Sequence, residues 1–252
     1  MSKKSSSGSK GVSTKRQAVR DKRRAQQRRQ RILIILGVVG AALIIAAILI
    51  IPSFQPVGDV VAITPHSRPM VDGRAMGDPN APVLIDVYSD FQCPACKTFA
   101  GQIEPQVVDT YVSTGQVHYI YRHFPFLDDR APRNESDQAA NASMCASDEN
   151  RFWDYHDILF ANWDGENQGA FNDNRLVAFA ESLGFDMPVF NKCFDANLHK
   201  EEIDGDYSTG RAIGVTGTPS VFVNGTLLTP GFIPSFDEIS QAVEAELATS
   251  GN

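Results

Sequence analysis

The residues best suited to chemistry stand together in Asp90-Phe91-Gln92-Cys93-Pro94-Ala95-Cys96, which sets two of the four cysteines two residues apart. Before them runs Val83-Leu84-Ile85-Asp86-Val87-Tyr88, a stretch with the length and β-branched content of a buried strand. After them Lys97-Thr98-Phe99-Ala100 reads as the body of a helix. A dithiol at a strand-to-helix junction suits thiol–disulfide exchange. Unpaired backbone N–H groups and the positive end of the helix dipole stabilise a thiolate there. Cysteines so placed titrate between roughly 3.5 and 7.5, against about 8.5 for a free thiol. Pro94 fits the first helical turn, where its missing N–H has no helical partner to lose. Cys93, at the helix start where solvent and substrate reach it, is the expected nucleophile. Cys96, one turn deeper, is the expected resolving thiol. Two other readings of the pair are half of a zinc site and an inert structural bridge. Structural zinc takes four N or S ligands, and there is no second Cys-x-x-Cys; Cys145 and Cys193 stand singly. The histidines show no metal spacing: His156 is expected to join helix packing, and His123 to face solvent.

These elements occupy only part of the 252 residues. Residues 1–31 hold twelve Lys or Arg and one acid, Asp21. The others hold 11 basic and 29 acidic side chains, so the net charge of −7 conceals two opposed regions. The tail at 1–31 is rich in Ser, Gly, Lys, Arg and Gln, has no periodic apolar face, and is expected to be disordered. Residues 32–51 carry no charged or strongly polar side chain. As a helix rising 1.5 Å per residue, such a run spans roughly 30 Å, the thickness of a bilayer core. A cleaved signal peptide is the alternative, but the run exceeds a signal's apolar region and no small-residue cleavage site precedes Pro52. The basic flank predicts a cytoplasmic tail, an anchor in membrane lipid at 32–51, and residues 52–252 outside. The tail is read as a topology determinant, with no nucleic-acid partner. Disulfides persist outside the cytoplasm, and four cysteines there suggest two bridges. About 200 residues bury a full core without relying on them.

Residues 52–75, with scattered Pro, Gly, Ser and Asp, read as a stalk that includes a short strand near 60–63. A helix is predicted over 94–113, with Gly115 just past its end, and a strand over 117–122. A helical block follows at about 130–213; in it Asn172 or Asp173 caps one helix and Gly184 stops it. The sheet resumes at Ser220–Val223. Asn224-Gly225 marks a two-residue hairpin because both turn positions need φ > 0, and 226–228 return. The last helix begins at Ser235, with Glu238 completing a capping box and Phe236, Ile239, Val243 and Leu247 as its buried stripe.

This order resembles the DsbA-like thiol–disulfide oxidoreductases, α/β proteins with a thioredoxin-like fold and an inserted helical subdomain. Three stretches carry the resemblance, which covers roughly 76–248: Ser89-Asp90-Phe91-Gln92-Cys93-Pro94-Ala95-Cys96, Phe152-Trp153-Asp154-Tyr155-His156-Asp157 and Gly214-Val215-Thr216-Gly217-Thr218-Pro219-Ser220. It implies a redox domain over 76–252, behind one transmembrane helix, that introduces disulfides into unfolded exported cysteine-containing proteins. Cys93 and Cys96 are the implied redox pair, supported by Pro94, Ala95, Thr218 and Pro219. A cis bond before Pro219 is implied, with the Thr218 backbone pairing to an extended substrate; a trans proline opening an ordinary strand is the alternative. Relatives with a second cysteine pair imply a structural Cys145–Cys193 disulfide, against two buried free thiols. Chain entropy assigns a loop of about 49 residues roughly 4 kcal/mol. No cofactor is expected, so reoxidation falls to a quinone-linked membrane partner.

Two departures stand out. Strong oxidants of the family carry His where Ala95 stands here. Relatives often carry a buried acid where Val87 stands, while Asp86, one position earlier, faces the other side of the strand. Two alternatives remain at this stage. One is a reductase or isomerase of the same fold, although 52–75 is too short for an isomerase's dimerisation domain. The other is a non-catalytic chaperone or assembly factor.

Overall fold

Strict alternation builds the centre of the sheet. Val83, Ile85, Val87 and Ser89 point to one side, as do Val117, Tyr119, Tyr121 and His123, and all eight are buried. The computed structural model describes residues 10–50, 57–130 and 134–250, in two units, 1–56 and 57–252.

In the first unit a helix, α1, covers Lys10–Ile50. The predicted disorder therefore gives way to helix from Lys10 onward, while residues 1–9 lie outside the described residues. Arg, Lys, Gln and Ala are good helix formers, which explains why a sequence with no apolar face can be helical. Among the described residues no helix is long and apolar enough to cross a membrane. Side chains of the apolar run are described only as far as Ile45, and the rest of 32–51 lies outside them.

In the second unit five strands form one sheet in the order β1-β3-β2-β4-β5. They are β1 (Ala75–Met76), β2 (Val83–Ser89), β3 (Val117–His123), β4 (Ser220–Val223) and β5 (Thr226–Leu227). Strand β2 runs parallel to β3, from Val83 opposite Val117 to Ser89 opposite His123. It runs antiparallel to β4, from Ile85 opposite Val223 to Tyr88 opposite Ser220. The parallel pair needs a crossover, supplied by α2 (Pro94–Gln102), α3 (Glu104–Val107) and a π-helical turn at Val108–Val112. The single helix predicted over 94–113 is thus in pieces. Pro105 has no N–H to give the preceding turn, which breaks the ladder near Ile103.

Between β3 and β4 the chain forms α4 (Glu135–Ser147), α5 (Phe152–Ala161), α6 (Asp173–Leu183), α7 (Met187–Asp195) and α8 (Lys200–Ala212). The Asn172 carboxamide accepts the Arg175 amide at 3.1 Å, and Gly184 closes α6 with φ of 74°. A disulfide joins Cys145 of α4 to Cys193 of α7, with Cα atoms 5.8 Å apart. Helix α8 lies close against the sheet because Gly210 has no side chain. A Cβ there would sit 2.9 Å from ring carbons of Tyr88 and Phe124. Asp206 of α8 pairs with Arg74 and Arg122, and Arg122 also holds Asp86 at 2.7 Å. The hairpin residues Asn224 and Gly225 have φ of 45° and 79°. The final helix, α9 (Phe236–Ser250), starts from a capping box in which Ser235 N–H donates to Glu238 at 2.7 Å.

Two further expectations need correction. Residues 60–63 form no strand: the Asn162 carboxamide pairs with both the N–H and the C=O of Val61, at 2.8 and 2.9 Å, and takes the place of a neighbouring strand. The part of the stalk from Val57 onward belongs to the folded domain, with Val60, Ile63 and Val71 packed on the core.

Replacing Cys145 and Cys193 together by Ala should lower unfolding free energy by up to about 4 kcal/mol on the chain-entropy argument. Denaturant titration of the oxidised protein measures this. Alkylation of Cys93 in the reduced variant should be retained.

Candidate active site

Strand β2 ends at Ser89, and the chain turns at once into α2. The Cys93 N–H donates to the Asp90 carbonyl at 3.0 Å, which closes the turn. Cys93 caps α2 with extended backbone (φ −74°, ψ 122°), and Pro94 occupies the first turn. The bond before Pro219 is cis, and the loop it shapes leads into β4 beside β2. That loop brings the Thr218 carbonyl 3.3 Å from Cys93 Sγ, which donates to it. Cys93 and Cys96 are both free thiols. Cys93 is only 6% exposed and Cys96 1%. The nucleophile is therefore less open than its place at a helix start predicts, because the Thr218 carbonyl lies against its sulfur. Pro94 is exposed and Ala95 half-buried.

The two sulfurs have opposite electrostatics. Cys93 is drawn down to about 6, first by the Cys96 thiol, then by the Thr218 hydroxyl and the N–H groups of Cys96 and Ala95, all against the upward push of burial. Cys96 is pushed well above the usual thiol range by burial and by its neighbour's charge. The Thr218 hydroxyl is buried and unpaired, and it favours the thiolate of each sulfur. One thiolate and one thiol is the expected reduced state.

The turn is fixed by a buried polar network that sequence reasoning missed. Gln92 Nε2 donates to Ser136 Oγ at 2.8 Å and to Asp128 at 3.2 Å, and its Oε1 accepts the Asn167 amide at 2.6 Å. The Gln92 carbonyl accepts the Trp163 indole N–H at 2.6 Å. Lys97 reaches the Trp163 carbonyl at 3.3 Å and lies 4.9 Å from the centre of its ring. The available signal was Asp90 and Gln92 themselves, polar residues flanking Phe91 beside the dithiol. His123 is buried against Phe91, Tyr121 and Phe152 rather than solvent-facing, and burial drives its pKa well down. Its place in the alternation of β3 carried that information. His156 packs against Phe91, Trp153 and Phe160.

Val87 sits in the core, and Asp86 is engaged with Arg122. Beside α2 a cavity of about 630 Å³ is lined partly by Arg68, Glu104 and Asp157. Arg68 pairs with Asp157 at 2.8 Å and Glu104 at 3.2 Å, and Tyr119 donates to Glu104 at 3.0 Å. Among the described residues one group, Cys145, Cys193 and His199, has ligand atoms close enough for a metal. Two of the three are joined in the disulfide and offer no thiolate to an ion.

A family described as Thioredoxin matches residues 70–245. A probable disulfide bond formation protein D from Bacillus cereus is 27% identical over 176 residues, which are 69% of this chain and 78% of that one. A Na(+)/H(+) antiporter NhaA 1 from Salinispora arenicola is 33% identical over 149 residues, 59% of this chain and 21% of that longer protein. The crystal structure of oxidised BdbD from Bacillus subtilis superposes with a TM-score of 0.62 at 24% identity, covering 76% of this chain and all of that one.

The alkylation rate of the reduced protein should follow the Cys93 thiolate, falling as pH drops through about 6. In Cys96→Ala the largest stabilising contact is gone, so the midpoint should move up and the rate at pH 6 should drop severalfold. Iodoacetamide kinetics across pH measure both; a midpoint near that of free cysteine in the wild type would contradict the geometry.

Proposed function

The chain belongs to this thioredoxin family, and on that premise we propose that it is a thiol–disulfide oxidoreductase of the DsbA-like kind that introduces disulfides into exported proteins. The observation that carries the reading is the unequal dithiol, Cys93 drawn down and Cys96 pushed up. The name of the Bacillus cereus relative points the same way.

In the oxidised enzyme a client thiolate attacks Cys93 Sγ. The Cys93–Cys96 bond breaks, and its electron pair leaves on Cys96, which takes up a proton. A second client thiolate then attacks the client sulfur of the mixed disulfide. Cys93 departs as a thiolate, a good leaving group because its pKa is low. The client keeps the disulfide and the enzyme keeps two electrons. The Thr218 carbonyl accepts Cys93 S–H only while that hydrogen exists; ionisation or disulfide formation frees it for the backbone N–H of an extended client. Pro219 shapes the loop, Pro94 starts the helix, and Ala95 contributes its backbone N–H. With no imidazole at Ala95, thiolate stabilisation falls to the Cys96 thiol, the Thr218 hydroxyl and the helix-start amides.

The reading puts the redox domain outside the cytoplasm, anchored in membrane lipid by 32–51 with the basic tail inside. A quinone-linked membrane protein reoxidises it, since each turnover leaves two electrons on Cys93–Cys96 that must be passed on. A second reading, a reductase, has Ala95 in its favour. Equilibration of Cys93–Cys96 with glutathione separates the two: about −120 mV marks a strong oxidant and about −270 mV a reductase.

Cys96→Ala should accumulate reducible covalent adducts between Cys93 and client proteins, and Cys93→Ala almost none. The oxidised wild type should restore disulfides to a reduced, denatured substrate. Absence of both adducts and turnover would leave a binding protein instead. Protease added to spheroplasts should digest 52–252 and spare the tail; full protection of the domain would refute the orientation.

A further inference from the structure

Three residues before Cys93, the turn encloses a carboxyl group that the exchange steps above leave idle. Asp90 is 2% exposed. Its Oδ1 accepts the Gln92 amide at 2.9 Å and Ser136 Oγ at 2.7 Å, and its Oδ2 accepts the Leu127 amide at 3.1 Å. All three donors are neutral. Its own carbonyl holds the Cys93 N–H, so the acid and the nucleophile sit at the two ends of one hydrogen-bonded turn.

A buried carboxylate with neutral donors and no cation is poised between its two forms. Burial pushes Asp90 up to about 7, the three donors pull it back, and the Cys93 thiolate adds to the upward push. That last contribution exists only while Cys93 is reduced. Of the titratable groups around the turn, Asp128 is the one that titrates close to Asp90. Tyr121 and His123 of β3 are held neutral by burial, the tyrosine pushed up and the histidine down. Cys96 of α2 keeps its proton. Asp128, which shares Ser136 and Gln92 with Asp90, is pushed up to about 6 by burial. Glu135 of α4 is engaged by the amides of Gly169 and Phe171.

We propose that Asp90 is a redox-linked proton store, taking up a proton when the Cys93–Cys96 bond is reduced and releasing it when the bond re-forms. The balance closes. A client dithiol that becomes a disulfide gives up two electrons and two protons. The electrons go to the Cys93–Cys96 pair, one proton goes to Cys96, and the other is divided between Asp90 and solvent, leaving Cys93 as thiolate. Asp90 touches no substrate and acts through Cys93, so it is a positioning residue. The inference rests on the thiol–disulfide reading of the site.

The test is the pH dependence of the equilibrium with glutathione, measured on the full-length protein in detergent micelles. Between pH 6 and 7 wild type should take up a fraction of a proton more per two electrons than Asp90→Asn does. Asp90→Asn should fall to one as soon as pH exceeds the Cys93 midpoint. At pH 8 the variant should hold the reduced state three- to tenfold more strongly, about 15–30 mV. Toward pH 5.5, as protonation removes the Asp90 charge that opposes the thiolate, the two should converge. A purely structural Asp90 would shift the potential equally at every pH or not at all, and either result overturns the proposal. Ser136→Ala supplies a second test that keeps the carboxyl and removes one donor, so the change in proton number should move to higher pH; an unmoved position overturns it too. A wild type that does not exchange disulfides with glutathione at any pH would defeat the enzymatic reading itself.

Discussion

Gln92 is the constraint on which the site depends. None of its surface is exposed, so each of its polar atoms must find a partner inside the protein. It finds them in Asp128, Ser136 and Asn167, while its carbonyl takes the Trp163 indole. All four lie outside the strand–helix unit that carries the cysteines. An unmet buried amide costs about 1–3 kcal/mol, so the helical insertion stabilises the redox turn by that order. The insertion is thereby part of the active site although none of its residues touches a sulfur-bearing loop by sequence.

Held in that frame, the turn divides its two sulfurs by burial and hydrogen bonding. Moving a thiol from 9.0 to about 6 corresponds to about 4 kcal/mol in favour of its thiolate. Burial opposes this at both cysteines but dominates only at Cys96, where it outweighs the donors. Cys93 faces a neighbouring thiol, a hydroxyl and helix-start amides, whereas Cys96 faces desolvation and its partner's charge. The same geometry that makes Cys93 a stable thiolate makes it a ready leaving group, which tilts exchange toward handing a disulfide on.

Local chemistry was the legible part of this sequence. Asn224-Gly225 needs only its own backbone angles, Ser235 and Glu238 need only each other, and β2 declares itself by its apolar content. The dithiol and the proline loop were legible for the same reason, each being a short motif. What stayed hidden depends on partners far along the chain. Val61 avoids strand pairing because Asn162 satisfies it, and Gln92 is buried because Ser136 and Asn167 arrive from the insertion. The broken helix at Pro105 is a different case: the residue was visible in the sequence, and its missing N–H interrupts the ladder near Ile103. For the basic tail, composition argued against order while the propensities of Arg, Lys, Gln and Ala allow the helix at Lys10–Ile50.

The indole of Trp163 has a consequence of another kind. The chain contains two tryptophans. Trp153 lies in the core with its N–H on the Ala75 carbonyl and Arg68 over its ring. Trp163 is bonded to the carbonyl that immediately precedes Cys93, with Lys97 over its face. Excited indoles respond to polarisation of the N–H and to a charge above the ring, and both are set here by the geometry of the redox turn. Of the two indoles, Trp163 alone is bonded directly to the redox turn, so a change in the turn's geometry reaches its N–H first.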